Sequence, residues 1–140
     1  MGSEMCIRDS SRFAVCFKGV SRMARILLAE DDGSLRGFLT RALERAGHQV
    51  IDCENGDDAI DALEHGPYDL LLTDIVMPGA DGIEVARVAA ARQPGLRIMF
   101  ITGFAAVALT AAQATPDAKV LSKPVHLRDL VNEVERMVAA

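Results

Sequence analysis

The sequence is poor in aromatic residues, with no tryptophan, one tyrosine and five phenylalanines among its 140 residues. A hydrophobic core must therefore be built mainly from aliphatic side chains. The chain nevertheless contains 50% hydrophobic residues against 25% charged ones. A chain of that balance and length is typical of one globular domain, and the composition excludes low-complexity and intrinsically disordered classes.

Cysteine, basic charge and long apolar runs are also scarce. Three cysteines, Cys6, Cys16 and Cys53, are too widely spaced for a disulfide framework or a paired-cysteine metal site, which favours a reducing, cytoplasmic compartment. With 15 Lys+Arg against 20 Asp+Glu, the formal net charge is −5, which argues against a nucleic-acid partner. No apolar run reaches the roughly 18 residues of a transmembrane helix, so we expect no membrane insertion.

The folded domain is predicted to begin at Met23. Residues 1–22 show no sustained hydrophobic period, whereas residues 23–30 read as a start methionine followed by a buried strand. We interpret residues 1–22 as a non-native or disordered extension and residues 23–140 as the domain; a genuine regulatory arm is the alternative. Without the extension, which carries four basic and two acidic side chains, the net charge becomes −7.

The remaining sequence alternates between apolar runs and helical patterns. Strands are predicted at residues 26–29, 49–53, 69–73, 97–102 and 119–122. Helices are predicted at residues 34–46, 56–64, 82–92, 105–114 and 127–138. Three strands are almost continuously Leu, Ile, Val or Phe, as in sheets covered by helices on both faces. The pattern predicts an α/β fold, a doubly wound five-stranded parallel sheet with helices on both faces.

Polar side chains follow or end four of these strands, where a doubly wound sheet binds its ligands. They are Glu30, Asp31 and Asp32 after the first strand, Asp74 after the third, Thr102 at the end of the fourth and Lys123 after the fifth. Clustered carboxylates repel one another unless a cation neutralises them, which favours a hard ion such as Mg²⁺. An aspartate beside such an ion can attack phosphorus, and a lysine can share the charge of the phosphoryl oxygens.

Four short motifs resemble those of response-regulator receiver domains in order and spacing. They are residues 30–32, residues 74–79, Thr102-Gly103 and Lys123-Pro124, and the resemblance extends from Met23 to the end of the chain. It implies a flavodoxin-like receiver fold, with Asp74 as phosphoacceptor, Thr102 as switch hydroxyl and Lys123 as phosphate-binding cation. It also implies that Mg²⁺ is held by Glu30, Asp31, Asp74 and the backbone carbonyl of Val76. The Lys123–Pro124 bond resembles the cis peptide of the family. Asp32 is expected to add negative charge near the metal without binding it directly.

Residues 98–109 and 119–130 resemble, more narrowly, the CpdR family of stand-alone receivers in alphaproteobacterial cell-cycle control. That resemblance implies a protease adaptor rather than an enzyme, which docks on the ClpX unfoldase when unphosphorylated and helps to place ClpXP at a cell pole. Phosphorylation through a histidine kinase or histidine phosphotransferase would switch it off. The chain ends after one receiver-sized domain, so we expect its output to come from a partner. The final Ala139-Ala140 resembles the dialanine ends that such unfoldases grip, although a fraying helix end is the simpler interpretation.

Two other functions remain open from the sequence. A phosphotransfer intermediate would use the same residues to pass phosphoryl groups between histidine proteins. A dehalogenase-like Mg²⁺-dependent phosphatase would also use a strand-end aspartate, but it needs a second acid two residues later, where Val76 stands. Simpler interpretations apply to single residues: Asp74 as a helix cap, Lys123 as a surface lysine and His48 as a surface or packing residue.

Two departures from the receiver pattern concern switching and lifetime. Val120 stands where many receivers carry an aromatic residue that moves on activation, while Gly103 loosens the junction after Thr102. We predict that switching rearranges this junction and Phe104 instead. Val76 and Phe104 are apolar and are expected to flank the phosphoryl group without holding a water molecule, which predicts slow self-hydrolysis. Phe104 and its apolar neighbours on the helix could equally be part of the core.

Overall fold

A computed structural model describes residues 23–115 and 117–139. Within them, five parallel strands form one sheet in the order β2-β1-β3-β4-β5. The strands are β1 (Arg25–Ala29), β2 (Gln49–Cys53), β3 (Leu70–Asp74), β4 (Arg97–Thr102) and β5 (Lys119–Ser122). The helices are α1 (Gly33–Arg45), α2 (Gly56–Ala62, followed by a 3-10 turn at Leu63–His65), α3 (Gly82–Arg92), α4 (Ala105–Ala114) and α5 (Leu127–Ala139). The predicted fold class is confirmed.

Two hydrophobic cores lie on opposite faces of the sheet, because successive strand residues point to opposite sides. On β3, Leu71 packs in the core beneath α2 and α3, while Leu70 and Leu72 pack in the core beneath α1 and α5. Every residue of β3 is buried. The centre of the sheet is thus covered from both faces, as the apolar runs predict.

Side-chain caps determine where three helices begin. The Asp32 carboxylate accepts hydrogen bonds from the backbone N–H groups of Ser34 and Leu35 at the start of α1. Asn55 caps α2 and Asp81 caps α3 in the same way. The N-cap of α4 is Phe104, which supplies no side-chain hydrogen bond. Asp32 is therefore a helix cap at the edge of the acidic cluster, and α1 begins one residue earlier than its hydrophobic pattern indicates.

The predictions for residues 1–22, including Cys6 and Cys16, and for Ala140 lie outside the described residues. His48 is buried: its Nδ1 accepts from the Ala24 backbone N–H at 3.0 Å, and its Nε2 lies 2.9 Å from a Glu135 carboxylate oxygen. Of the surface and packing roles left open for His48 by the sequence, the structure shows the packing role. Among the residues placed by the structure, no helix combines the length and apolar character that crossing a membrane requires.

Candidate functional site

The carboxyl edge of the sheet brings together the side chains that the sequence places at strand ends. Asp74 is the last residue of the buried central strand β3, and Glu30 directly follows β1 beside it. Lys123 follows the edge strand β5. The sheet order puts β1 and β4 on either side of β3, so these side chains converge on Asp74.

Three acidic residues form a cluster. Ligand oxygens of Glu30, Asp31 and Asp74 all lie within 4.8 Å of one another. Glu30 and Asp74 are only 1% and 7% exposed, whereas Asp31 is exposed to solvent. Within the described part of the chain, the buried Oε1 of Glu30 has no hydrogen-bond partner. A buried carboxylate oxygen that forms no hydrogen bond and lies among other ligand oxygens fits a hard divalent cation such as Mg²⁺, beside the ion pair that the same oxygen makes with Lys123 at 3.3 Å.

Lys123 contacts two carboxylates of this cluster. Its Nζ donates to Asp74 Oδ2 at 2.9 Å and lies 3.3 Å from Glu30 Oε1. Burial lowers the pKa of Lys123, but the hydrogen bond and charge of Asp74, joined by Glu30, outweigh that effect and raise the pKa above its usual value. Lys123 therefore remains protonated and neutralises part of the carboxylate charge.

The surroundings of Glu30 increase its affinity for a proton. Burial, which disfavours the charged form, and the negative charge of Asp74 raise its pKa to about 7. The backbone N–H of Asp32 donates to Glu30 Oε2 at 3.1 Å and lowers the pKa, as does Lys123. Near neutral pH, Glu30 in the metal-free cluster thus exchanges between its protonated and its ionised form.

Thr102 and Phe104 meet at the junction between β4 and α4. Thr102 is buried, and its Oγ1 accepts from the Phe104 backbone N–H at 3.1 Å. The hydroxyl thus binds the backbone N–H of Phe104, the residue that precedes the first turn of α4. The Phe104 side chain is 60% exposed, so it belongs to the surface and not to the core.

Val76 lies two residues after Asp74 on the loop between β3 and α3, with 50% of the residue exposed. Val120 is half-buried in β5, paired with Phe100 of β4. The predicted cis peptide at Lys123–Pro124 is present. Next to it, a groove of about 450 Å³ opens between α1 and the segment after β5, lined by Asp32, Leu35, Leu39, Ile101, Lys123, Pro124 and Val125.

Three contacts near Asp74 are absent from the sequence-based prediction. Arg36 of α1 donates to the Glu30 backbone carbonyl at 2.8 Å and lies 3.3 Å from Asp52 of β2. The hydroxyl of Thr73 donates to the Asp74 carbonyl at 2.7 Å. Gly82 begins α3 against the Asp74 backbone. A glycine directly after a capping aspartate was the available sequence signal for this close approach, whereas nothing in the pattern marks Thr73 or Arg36.

Comparison with known proteins adds two findings on sequence. The family model described as the response regulator receiver domain matches residues 26–135. The chain is 61% identical over 119 residues to the response regulator receiver protein CpdR of Brucella abortus (strain 2308). That match covers 84% of this chain and 99% of CpdR. The resemblance drawn from the motifs is confirmed.

Solved structures agree with these findings. A response regulator receiver protein from Sinorhizobium medicae WSM419 superposes with a TM-score of 0.77 at 34% identity, covering 84% of this chain and 96% of that one. The response regulator protein TrrA from Thermotoga maritima, solved in complex with Mg²⁺–BeF, gives a TM-score of 0.74 at 28% identity, covering 82% of this chain and 99% of that one.

Proposed function

Because the chain belongs to the response-regulator receiver domain family and lies close to CpdR within it, we propose that it is a phosphorylation-controlled switch with Asp74 as its phosphoacceptor. Receiver domains work with histidine kinases in two-component systems. The observation that carries the proposal is the position of the Asp74 carboxylate, at a strand end between an ammonium group 2.9 Å away and a cluster of acidic oxygens. That arrangement suits a nucleophile whose product carries additional negative charge.

The proposed reaction transfers one phosphoryl group. A carboxylate oxygen of Asp74 attacks phosphorus, the bond from phosphorus to a histidine nitrogen breaks, and its electron pair remains on that nitrogen. Lys123 turns from the Asp74 carboxylate towards the phosphoryl oxygens and offsets their charge. Glu30, Asp31, Asp74 and the backbone carbonyl of Val76 would hold Mg²⁺. When bound, the ion supplies Lewis-acid neutralisation of the carboxylates and of the transferring oxygens.

The α1 helix offers a surface for the histidine protein. Phe38 is exposed, and the Arg41 guanidinium lies 5.3 Å from the centre of its ring. This aromatic and basic pair stands on the helix that also lines the groove beside Lys123. We assign docking of a histidine kinase or histidine phosphotransferase to this side, because its groove is lined by Lys123, which binds the Asp74 carboxylate.

The output we propose is adaptor activity for the ClpXP protease in the cytoplasm, with recruitment to a cell pole. Its support is the 61% identity to CpdR along nearly the whole length of that protein and the surface of α4. This helix has no charged residue from Ala105 to Ala114, and Leu109 is 63% exposed. Together with Phe104, Leu109 gives an apolar surface close to the switch residue Thr102, which fits a phosphorylation-controlled partner site.

A pull-down with purified ClpX tests the adaptor proposal. The unmodified chain is expected to retain ClpX, and adding beryllofluoride with Mg²⁺ is expected to release it. A phosphotransfer intermediate would retain no ClpX in either condition and would bind only histidine phosphotransfer proteins. That result would replace the adaptor function with the relay function.

Switching is proposed to act through the start of α4. A phosphoryl group on Asp74 would accept the proton of the Thr102 hydroxyl and draw this side chain towards itself, which would move the oxygen that accepts from the Phe104 N–H. Since no aromatic residue stands at Val120, the change would fall on residues 103–114. We expect the amide resonances of Phe104 and α4 to shift when beryllofluoride is added, with smaller shifts in α2; unchanged α4 resonances would contradict this prediction.

The pKa of Glu30 predicts a dependence of stability on pH. Because the folded-state pKa of about 7 lies above the ordinary value of 4.5, the folded protein binds the extra proton, so this contribution to stability is full below about pH 4.5 and is lost as pH rises through 7. In a chelating buffer, the free energy of unfolding should therefore fall between these values more steeply than in a Glu30→Gln variant. Urea unfolding at several pH values measures the difference, and parallel curves would show that Glu30 titrates normally.

A further inference from the structure

We infer that Thr73 is a positioning residue for the phosphoacceptor and acts through the peptide unit that joins Asp74 to Ile75. The inference rests on the proposed function of Asp74 and adds a residue that no receiver motif in the sequence includes. Among the described residues, the Thr73 hydroxyl forms no hydrogen bond with a carboxylate of the acidic cluster or with the Lys123 ammonium; its partner is the backbone carbonyl of Asp74.

The hydroxyl of Thr73 lies in a setting where an apolar side chain would pack equally well. Thr73 is 0% exposed, and its neighbours on the same face of the sheet, Leu71 and Ile75, belong to the apolar core beneath α2 and α3. Burying a hydroxyl is unfavourable unless it forms a hydrogen bond, and such a bond does little more than offset that cost. Core stability alone thus favours valine here. The bond that threonine adds, 2.7 Å long, is to the Asp74 carbonyl.

Gly82, the first residue of α3, packs closely against the same Asp74 carbonyl. A Cβ atom at Gly82 would lie 2.1 Å from the Asp74 carbonyl oxygen, a distance at which the backbone would have to move. The Gly82 N–H also donates to the Ile75 carbonyl at 2.7 Å. The first turn of α3 therefore lies directly against the backbone of residues 74 and 75, and the Thr73 hydroxyl bonds to the carbonyl that α3 approaches.

A rigid peptide plane carries this restraint to the carboxylate. The Asp74 carbonyl and the Ile75 N–H belong to one planar unit, so fixing the carbonyl fixes the direction of the N–H. That N–H donates to Asp74 Oδ1 at 2.7 Å, while Lys123 binds Oδ2 at 2.9 Å. The carboxylate is thus oriented by two donors, and the position of one of them is set by Thr73.

Three variants test this role in the full chain. Thr73→Val keeps the shape and removes the hydroxyl, Thr73→Ser keeps the hydroxyl, and Thr40→Val is the control. Thr40 lies on α1 with a buried hydroxyl for which the described residues supply no partner. We expect Thr73→Val to lower the rate of phosphoryl uptake from acetyl phosphate at saturation roughly tenfold, as small misplacements of reacting groups do. The half-saturating concentration should stay unchanged, and Thr73→Ser and Thr40→Val should react at the wild-type rate.

A structural measurement separates positioning from packing. Thr73→Val should be at least as resistant to urea as the wild type, and the amide resonance of Ile75 should shift in this variant but not in Thr73→Ser. A wild-type rate in Thr73→Val, or an equal loss in Thr73→Ser, overturns the inference and leaves the proposed function intact. If the wild-type chain itself takes up no phosphoryl group, the proposed function fails, and this inference fails with it.

Discussion

Replacing Asp74 by alanine is expected to give a chain that takes up no phosphoryl group and binds ClpX in every condition. No other carboxylate in the described cluster combines burial with a direct hydrogen bond from Lys123. Without the proposed nucleophile no acyl phosphate forms, so we expect the chain to remain in its unphosphorylated state. Incubation with acetyl phosphate and Mg²⁺ followed by intact-protein mass measurement, together with the ClpX pull-down, records both effects.

The control for this variant is Asp61→Ala, which removes an exposed aspartate from α2. It should take up phosphoryl groups and release ClpX like the wild type. Phosphoryl uptake by the Asp74→Ala chain at a comparable rate would show that another side chain is the acceptor. Loss of ClpX binding in Asp74→Ala, with its fold retained, would show that the carboxylate itself is needed for docking.

A double variant Val76→Asn, Phe104→Glu is expected to lose its phosphoryl group at least about tenfold faster than the wild type, because polar side chains can orient an attacking water molecule. Both residues are half or more exposed and stand two positions after Asp74 and Thr102. Apolar groups there offer an incoming water no hydrogen bond. The decay of purified phosphoprotein, followed by mass measurement, gives the rate.

Leu109→Glu serves as the control for the lifetime prediction. Leu109 is as exposed as Phe104 but lies further along α4, so a charge there should leave the decay rate unchanged. Equal lifetimes for the double variant and the wild type would show that access of water is limited elsewhere in the site. Faster decay in Leu109→Glu would show that added charge on α4 destabilises the phosphorylated state in general.

Much of the fold could be predicted from hydrophobic patterning. The continuous apolar character of Leu70–Leu72 predicts a strand that helices cover on both faces. The structure confirms this, because β3 is the central strand of the sheet and all its residues are buried. The ends of elements were less predictable. The pattern places Asp74 after the strand, whereas the structure makes it the last residue of β3, because pairing with Ile101 of β4 extends the ladder by one residue.

Some residues of the candidate site could be predicted from the sequence, and others could not. The side chains that carry charge, Asp74, Lys123 and the acids after β1, are recognisable because ionisable residues at strand ends are chemically distinctive. The groups that orient them are not. Thr73 is one residue in a buried strand, and its hydroxyl matters only because of the carbonyl that it faces. Phe104 could not be assigned to core or surface from helical spacing, and its exposure was decided by how α4 packs.

The sequence by itself determined the parallel α/β architecture and the chemical set gathered at one edge of the sheet, because strand-length apolar runs and the polar residues that end them are local properties. The scarcity of aromatic residues likewise required an aliphatic core, and the scarcity of basic residues argued against a nucleic-acid partner. Only the tertiary structure decided the proton affinity and the orientation of these side chains. Burial beside Asp74 raises the pKa of Glu30 to about 7, and the approach of Gly82 and Thr73 to one carbonyl holds the proposed phosphoacceptor in place. Both effects depend on distances between residues that are remote in sequence or on the direction of one side chain, and neither is encoded in a local pattern.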